Sequence, residues 1–264
     1  MTVILWDHPL SPYAQKVKIA LREKDVAFET RVPGGIGVGG AAGDFIAASP
    51  RAEVPALEHD GAAIFDSTII LEYIEDTWPT PPLLPARAID RARARMIEDV
   101  VDTHLEAVNW GLSELRHFRR ASGELGETLT ARAIEQVRGY FAWAERTLGD
   151  GAWFNGDTFG WGDLSVIPYV NGSVGHGISP MPGSRLGQWL ARANARPSVA
   201  RTMEEAMQIA SAGGMGDVAA LLEQGLFKRE YRDHRLEWMI KSGGLEVVSQ
   251  GIARGNIRFS PDLR

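Results

Sequence analysis

The chain has no cysteine among its 264 residues. Cysteine thiolates form disulfides, ligate structural zinc and serve as nucleophiles, so this absence excludes all three from the chemistry of the chain itself. Any reaction at sulfur must therefore use a sulfur atom that a bound molecule brings in.

An excess of positive charge is also missing. The net charge is −6, and the isoelectric point is near 5.6. An acidic chain has no general attraction for a phosphate backbone, so nucleic acid is not expected as a partner. The composition, 44% hydrophobic and 23% charged, is that of an ordinary soluble protein that buries a substantial core.

Long apolar runs are absent as well. A membrane-spanning helix needs about eighteen or more consecutive apolar residues, and no run in the sequence approaches that length. The amino terminus reaches Asp7 after only a few apolar residues, which does not fit a secretory leader. We therefore expect no membrane association and a cytoplasmic location.

Common catalytic and metal-binding motifs are missing too. The six histidines never occur three or four residues apart, so no helical metal motif exists and no metal is predicted. Neither a G-x-S-x-G motif nor a P-loop occurs. The spacing G-x-G-x-x-G does occur at Gly35, Gly37 and Gly40, but Pro33 separates it from the preceding strand and the following helix ends by Pro50. We interpret it as a surface loop rather than a dinucleotide site.

The segment Arg51 to Ser67 carries the strongest local pattern. Val54 to Leu57 and Ala62 to Phe65 are apolar and flank an Asp-Gly turn, which predicts a β-hairpin. Asp66 and Ser67 then precede a helix that runs to Thr77, so one of them is expected to cap it. Pro55 lacks an N–H group and belongs at a strand edge or bend, and a cis peptide is one way to hold it there. A hairpin and a cap need no ligand to explain them.

The first thirty residues predict a β-α-β unit. Thr2 to Trp6 and Val26 to Val32 are the strands, and a helix follows Ser11 and Pro12. Proline suits the first turn of a helix, where Ser11 is the natural N-cap.

These two blocks closely resemble the glutathione-binding, thioredoxin-like domain of the glutathione transferase superfamily, in its bacterial, serine-type form. The resemblance implies that Val54 and Pro55 meet the backbone of glutathione's cysteine, and that Asp66 and Ser67 hold its γ-glutamyl end. It also implies that Ser11 donates a hydrogen bond to the glutathione sulfur.

The resemblance suggests further site residues around these. Tyr13 is the rival donor to the sulfur and is a second catalytic candidate. The family usually supplies a basic or amide side chain for the glycine end of glutathione, yet no Lys, Arg, Gln or Asn lies between Val32 and Pro50. Arg31, Arg51 or the backbone of the glycine loop would have to replace it, and we take Arg51 as a glutathione-binding candidate. The predicted substrate pocket contains four side chains, His8, Leu10, Trp110 and His117, although aromatic residues at helical spacing are more often core.

The remainder of the chain reads as helical. A cluster of prolines, beginning at Pro79, predicts a thioredoxin-like domain over 1–80, a linker over 81–90 and an all-helical domain over 91–264. A long amphipathic helix is expected over Ala86 to Arg120. Asp163 matches the acidic member of a family capping box and is predicted to be structural, although Gly160 stands where a hydroxyl is usual.

The chain has a long C-terminal tail, from about Glu204 to Arg264. Helices are expected around Asp217 to Gln224 and around Lys228 to Ile240. The basic run KREYRDHR is interpreted as a solvated helix face. The expected buried residues of the tail are Trp238, Val247, Val248 and Ile252.

The function implied is that of a glutathione transferase with roles in detoxification: glutathione is the cosubstrate, its thiol is activated as a thiolate, and it attacks a hydrophobic small-molecule electrophile. Short matches at Val32 to Gly35 and at Ser11 to Tyr13 also resemble bacterial β-etherases, which cleave aryl ethers by thiol transfer. The alternative is a non-catalytic protein of the same fold that binds an apolar ligand or a protein partner.

A homodimer is expected because the family commonly pairs the first helix after the linker with the last helix of the partner's N-terminal domain. Two stripes of opposite charge could meet across a two-fold axis. They are formed by Arg87, Arg91 and Arg95 and by Glu72, Glu75 and Asp76.

Overall fold

The computed structural model describes residues 2–34, 43–211 and 218–260. The glycine-loop motif at 35–40, for which a surface loop was predicted, lies outside these residues. The N-terminal part is a four-stranded mixed sheet in the order β2-β1-β3-β4, in which β1 and β2 are parallel and the other pairs are antiparallel. Its elements are β1 Val3–Trp6, α1 Pro12–Glu23, β2 Phe28–Arg31, α2 Asp44–Ala48, β3 Ala56–His59, β4 Ala62–Phe65 and α3 Ser67–Thr77.

The predicted β-hairpin is confirmed as β3 and β4, which pair from Ala56 with Phe65 to His59 with Ala62. The turn between them is Asp60-Gly61, and both residues have positive φ, 49° and 81°. Such a two-residue turn matches the right-handed twist of the strands it joins, which is why Asp-Gly is a strong hairpin signal.

The rest of the described chain is mainly helical, as predicted. The long helix expected over Ala86 to Arg120 is present as one continuous helical segment from Ala88 to Arg116, with a π-helical turn in its middle. The π turn contains Asp102, whose side chain contacts the N-terminal part of the chain. The segments are α4 Ala88–Val100, the π turn Val101–Leu105, α5 Glu106–Arg116, α6 Gly123–Leu148, α7 Trp161–Gly175, α8 Arg185–Asn194 and α9 Pro197–Ser211.

Helix α7 lies at the centre of the helical part, and Asp163 is buried in its first turn. Its carboxylate accepts hydrogen bonds from the backbone N–H groups of Phe154 at 2.8 Å and Gly160 at 3.1 Å, and from the indole of Trp189 at 2.7 Å. Burial raises the pKa of Asp163 to about 6 against these hydrogen bonds. All of its contacts are within the fold, which supports the structural role that was predicted.

The tail folds differently from the prediction. The helix expected over Lys228 to Ile240 begins only at Asp233, because Arg229 and Glu230 pair with Ile257 and Arg258 as short parallel strands. Burial of three predicted residues is confirmed, at Trp238, Val247 and Val248, whereas Ile252 is 57% exposed. The tail elements are α10 Val218–Glu223, β5 Arg229–Glu230, α11 Asp233–Lys241, α12 Leu245–Ala253 and β6 Ile257–Arg258.

The basic run is not a solvated face. Arg229 lies over the ring of Phe118 at 4.0 Å, and it bonds to Glu114, which is buried. Arg235 donates to both oxygens of Glu106, at 2.5 and 3.1 Å. The arginines are drawn inward because buried carboxylates on α5 need cationic partners.

A buried ionic cluster joins the sheet-containing part to the helical part. Lys16 of α1 is completely buried and places its ammonium 2.5 Å from Glu98 of α4 and 2.5 Å from Asp102. Glu98 also accepts from the hydroxyl of Thr68 at 2.9 Å and from the indole of Trp161 at 2.5 Å. Helices α1, α3, α4 and α7 are therefore held in one arrangement by a single carboxylate.

Candidate active site

The sheet register brings three predicted segments to one end of the sheet. Trp6, the last residue of β1, pairs with Ala56, the first residue of β3, and Ala56 pairs with Phe65, the last residue of β4. The loop that leaves β1, the peptide that enters β3 and the helix that follows β4 therefore all begin at the same edge. A ligand at this edge can reach all three.

The loop that leaves β1 ends at Ser11, which caps α1. The Ser11 N–H donates to the carbonyl of His8 at 2.8 Å, and the hydroxyl oxygen accepts from the N–H of Ala14 at 3.3 Å. A hydroxyl can donate while it accepts, so its own hydrogen remains available to a ligand. Ser11 is partly exposed, and the unpaired N–H groups of the first helical turn favour a negative charge beside it.

The remainder of that loop contains two residues of the predicted substrate pocket, His8 and Leu10. The ring of His8 accepts from the Leu10 N–H at 3.3 Å, and both residues are half-buried. Burial lowers the pKa of His8, which keeps the imidazole neutral and able to accept this bond. His8 and Leu10 thus lie together in the loop that precedes Ser11.

The peptide that enters β3 is Val54-Pro55, and it is cis, as the sequence suggested. Pro55 is buried while Val54 is partly exposed. Val54 precedes β3 directly, so it lies at the end of the sheet where β1 ends.

The helix that follows β4 is capped by Asp66 rather than by Ser67. The Asp66 carboxylate accepts from the N–H groups of Thr68 at 3.0 Å and Ile69 at 3.4 Å, and its φ of 79° lies outside the helical region. Ser67 is the first helical residue and is buried. Arg51 places its guanidinium 3.1 Å from the second Asp66 oxygen, so the carboxylate is held from two sides.

Tyr13 bonds to the helical part of the chain. Its hydroxyl donates to the backbone carbonyl of Asp102 at 2.7 Å and lies 3.3 Å from the ring of His234 in α11. Burial, with the nearby carboxylate of Glu106, raises the pKa of Tyr13 well above its ordinary value. Its phenol is therefore engaged with the helical part of the chain.

Trp110 and His117, both predicted for the substrate pocket, lie in different surroundings. Trp110 is buried, and the ring of Tyr231 from the tail packs edge-on against it at 4.6 Å. His117 is exposed at the end of α5, where its ring lies 6.0 Å from that of His176. The structure thus places Trp110 beneath the tail and His117 at the outer end of the helix.

A cavity of about 230 Å³ lies where α11 rests on the π turn and α6. His234 lines it, and the same ring is 3.3 Å from the Tyr13 hydroxyl. The other lining groups include two further aromatic rings, Tyr140 and Trp238, and the exposed end of Lys241. This cavity exists only because the tail is folded onto the helical part.

Sequence reasoning missed the contacts that the tail makes with the rest of the chain. Arg232 lies 3.1 Å from Glu53, the residue before Val54, and His234 lies 2.9 Å from Glu106. The available signal was the interleaving of Tyr231 and Trp238 with the basic residues, because aromatic side chains of that size are usually buried and bring their neighbours with them.

Two absences hold for the part of the chain that the structure describes. No group of three or more histidine, aspartate or glutamate side chains is placed to hold a metal ion. No helix in 2–34, 43–211 or 218–260 is long and apolar enough to cross a membrane.

Comparison with protein-family models gives two matches. Residues 5–82 match the family described as the glutathione S-transferase N-terminal domain, and residues 127–198 match the glutathione S-transferase C-terminal domain. Glutathione S-transferase U22 of Arabidopsis thaliana is 32% identical over 171 residues, which are 64% of this chain and 72% of that protein.

Solved structures are similar over most of their length. A rice glutathione transferase in complex with glutathione has a TM-score of 0.69 at 26% identity and covers 82% of this chain, while this chain covers 96% of it. A transferase from Methylobacterium radiotolerans in complex with glutathione sulfonate has a TM-score of 0.64 at 29% identity, with 76% and 94% covered. A share of this chain therefore has no counterpart in either structure.

Proposed function

We propose that this chain, which belongs to the glutathione S-transferase family, activates the thiol of its cosubstrate glutathione as a thiolate for attack on a hydrophobic small-molecule electrophile. Relatives whose structures contain glutathione or glutathione sulfonate support the cosubstrate.

The observation that carries the proposal is the convergence of three segments at one end of the sheet. The register of Trp6, Ala56 and Phe65 places the cap of α1, the cis peptide and the start of α3 side by side. A tripeptide with a thiol in its middle and a carboxylate at each end fits such a row. The Ser11 hydroxyl would meet the thiol, the Val54 backbone the cysteine, and the start of α3 with Ser67 the γ-glutamyl carboxylate.

The proposed chemistry is energetically sufficient. A free thiol with a pKa of about 8.5 is only a few per cent ionised at pH 7, and lowering it by about two units, or roughly 2.7 kcal/mol, makes most of it thiolate. A hydroxyl donating to a charged acceptor contributes about 1.5 to 3 kcal/mol, and a helix N-terminus about 0.3 to 1 kcal/mol. Ser11 provides both contributions because it caps α1.

We assign the donor role to Ser11 in preference to Tyr13. The Tyr13 hydroxyl already donates to the Asp102 carbonyl at 2.7 Å, and it would have to give up this hydrogen bond to donate to a thiol. The Ser11 hydroxyl accepts a hydrogen bond from the Ala14 N–H and can donate its own hydrogen to a ligand. The serine-type site proposed from the sequence is retained on this ground.

The electrophile is proposed to be hydrophobic from the resemblance to the family, and the half-buried apolar side chain of Leu10 in the loop before Ser11 is compatible with that. β-Etherase-type thiol transfer, suggested by short sequence matches, is one reaction that this proposal includes. A bacterial source and a role in detoxification are proposed with it. The pocket role of His117 stays a prediction.

A non-catalytic binding protein is the second candidate, and one observation favours it. Tyr231 packs on Trp110, so the tail occupies the place where an electrophile was expected to lie. Such a protein would bind an apolar ligand or a protein partner without turnover.

Calorimetric titration with glutathione followed by a thiol-conjugation assay separates the two candidates. Binding with turnover of an aromatic halide or aryl ether supports the transferase. Binding without turnover of either substrate class supports the binding protein. Absence of glutathione binding would overturn the proposal.

A homodimer is also proposed, but not on the two charge stripes that the sequence suggested. Arg95 forms a bidentate pair with Glu72 of its own chain, at 2.5 and 2.8 Å, and Glu75 is buried against Lys24. These charges do not support pairing between chains. Exposed apolar side chains on α3 and α4 do support it, namely Ile69, Ile89 and Met96, which are 56%, 49% and 67% exposed.

The division of the chain and its location are proposals of the same kind. We propose a boundary near residue 80, a linker over 81–90 and a helical domain over 91–264; the end of α3 at Thr77 supports the boundary, whereas α4 already begins at Ala88. The cytoplasmic location proposed from the sequence is compatible with both the acidic composition and the family.

A further inference from the structure

The cavity of about 230 Å³ between the π turn, α6 and α11 is separate from the sheet edge proposed to bind glutathione. Its lining side chains come from the π turn, α5, α6 and α11, and within the described residues none comes from the loop before α1, the Val54-Pro55 peptide or the start of α3. No histidine and acidic side chains of the described ranges are grouped to hold a metal ion. The cavity is therefore a candidate site for an organic ligand other than glutathione.

The wall that α11 contributes lies outside the part of the chain that matches the family domain. That match ends at residue 198, whereas α11 begins at Asp233. Trp238 fixes this helix in place, because its buried indole donates to the Gln136 side chain at 2.7 Å. The same ring lies so close to Gly111 of α5 that a Cβ at this glycine would be 2.1 Å from it. The cavity thus has a closely packed wall on the side of the tail.

Three aromatic rings line the cavity. The rings of His104 and Tyr140 are nearly parallel, with an interplanar angle of 20° and centroids 6.4 Å apart, and the indole of Trp238 is the third. Aromatic side chains stack on planar ligands or pack edge-on against them. Pockets for drug-sized ligands usually have volumes of about 300 Å³ or more, so the smaller volume here suits a ligand with one or two rings.

The polar groups left free in the cavity are mainly hydrogen-bond donors. The carbonyl oxygen of Gln136 accepts from Trp238, so its NH₂ group is what remains for a ligand. Tyr140 lies one turn further along α6, and its hydroxyl has no hydrogen bond within the described residues. Burial raises the pKa of Tyr140, which keeps the phenol protonated and able to donate. Two donors therefore lie next to each other on one helix face.

Lys241 adds a positive charge to these donors. Its ammonium lies 3.7 Å from the carboxylate of Glu237, and the two side chains are 53% and 69% exposed. An exposed ion pair of this kind contributes little, so it does not keep the lysine from another anion. His234, which also lines the cavity, is already bonded to the buried Glu106 at 2.9 Å. The charge and the free donors together favour a ligand with an anionic acceptor group.

We propose that this cavity is a second binding site, which takes a small aromatic carboxylate with one or two rings. The aromatic body of the ligand lies against His104 and Trp238. Its carboxylate accepts from the Gln136 amide and the Tyr140 hydroxyl, and the Lys241 ammonium balances its charge. The site goes beyond the proposed function, because it uses neither glutathione nor the Ser11 loop.

Calorimetric titration of the full chain with 2-naphthoate and with 2-naphthamide tests the proposal, because the amide has the same rings and no charge. The parent should bind naphthoate more tightly than naphthamide. Lys241→Met should weaken naphthoate binding about two- to fivefold and leave naphthamide binding near the parent value. Tyr140→Phe should weaken naphthoate binding about tenfold or more. His104→Ala should weaken both ligands alike, because it removes a ring and no charge.

The control is Lys228→Met, at an exposed lysine of the tail that does not line the cavity, and it should bind both ligands as the parent does. The inference would be overturned if the parent bound no naphthoate at millimolar concentration. Equal losses of naphthoate and naphthamide in Lys241→Met would exclude recognition of the carboxylate, and unchanged binding in both His104→Ala and Tyr140→Phe would exclude this cavity. Glutathione affinity, measured on the same variants, should stay at the parent value, so a failure of the proposed function is detected separately.

Discussion

The hydroxyl of Tyr13 donates a hydrogen bond to the backbone carbonyl of Asp102, 2.7 Å away in the π turn. Tyr13 lies two residues beyond Ser11 at the start of α1, so the two candidate donors face different parts of the molecule: one caps the helix at the sheet edge, and the other joins α1 to the helical part. This relationship separates their expected effects on activity.

Ser11→Ala is expected to lower turnover about 10- to 150-fold, because a hydroxyl bond to a thiolate contributes about 1.5 to 3 kcal/mol. The pKa of bound glutathione, followed by thiolate absorbance, should rise by a unit or more. Tyr13→Phe should leave that pKa unchanged and reduce thermal stability instead. A matched control is Ser184→Ala, which removes the N-cap of α8 without touching the site. Parent-like thiol pKa in Ser11→Ala would assign the donor role elsewhere.

Asp66→Ala should mainly lower the stability of the fold, whereas Ser67→Ala should mainly lower the affinity for glutathione. Asp66 is the N-cap of α3, so its replacement should lower the free energy of unfolding by about 1 kcal/mol, and more if Arg51 is left unpaired. Ser67 caps nothing, so its replacement should weaken glutathione binding while the melting temperature stays near that of the parent. Calorimetry and thermal unfolding on both variants measure the two quantities. Unchanged glutathione affinity in Ser67→Ala would exclude its ligand role.

The sheet edge was predictable because each of its parts depends on local chemistry. The Asp60-Gly61 turn needs two positive φ values, Pro55 cannot donate to a strand ladder, and Ser11 before Pro12 begins a helix. These signals span a few residues each, and the sheet register then brings them together.

The direction of Tyr13 and the partners of the tail were not predictable in this way. The contact between Tyr13 and His234 joins residues 221 positions apart, and no local pattern specifies such a pair. The basic run of the tail was misinterpreted because charge is normally solvated, whereas here the buried acids Glu106 and Glu114 of α5 draw Arg235 and Arg229 inward. Only the packed structure shows that these acids need partners.

Lys16→Met is expected to destabilise the protein by about 3 to 5 kcal/mol, because it leaves Glu98 and Asp102 without their buried cation. Chemical denaturation measures the free energy of unfolding. Lys241→Met, at an exposed lysine, is the matched control and should change it by no more than about 0.5 kcal/mol. A loss below about 1 kcal/mol in Lys16→Met would show that the cluster does not hold the two parts together.

A dimer formed through α3 and α4 should dissociate when Met96 is replaced by glutamate. Met96 is 67% exposed, so the change costs the isolated chain little, whereas a charge placed opposite its two-fold copy would repel it. Light scattering at micromolar concentration should give a dimer mass for the parent and a monomer mass for Met96→Glu. Met207→Glu, at a methionine of α9 that is 63% exposed, is the control. A monomeric parent would exclude the dimer.

Glu53→Gln should change how stability depends on pH. Burial and Glu230 raise the pKa of Glu53 to about 7 from an ordinary 4.5. Between these values the folded chain keeps a proton that the unfolded chain releases, so the Glu53 contribution to the free energy of unfolding falls as pH rises. The fall is complete above about pH 7 and absent below about pH 4.5. Since glutamine does not titrate, Glu53→Gln should lose less stability than the parent across this window.

The expected difference between Glu53→Gln and the parent grows from pH 4.5 to 7 and reaches on the order of 1 to 3 kcal/mol. Asp102 and Asp163, whose pKa values burial raises to about 6, add to the slope of both proteins alike, so subtracting the two curves isolates Glu53. Glu237→Gln, at a side chain that is 69% exposed, serves as the control and should follow the parent curve. Parallel curves for Glu53→Gln and the parent would mean that Glu53 is ionised throughout this pH range in the folded chain.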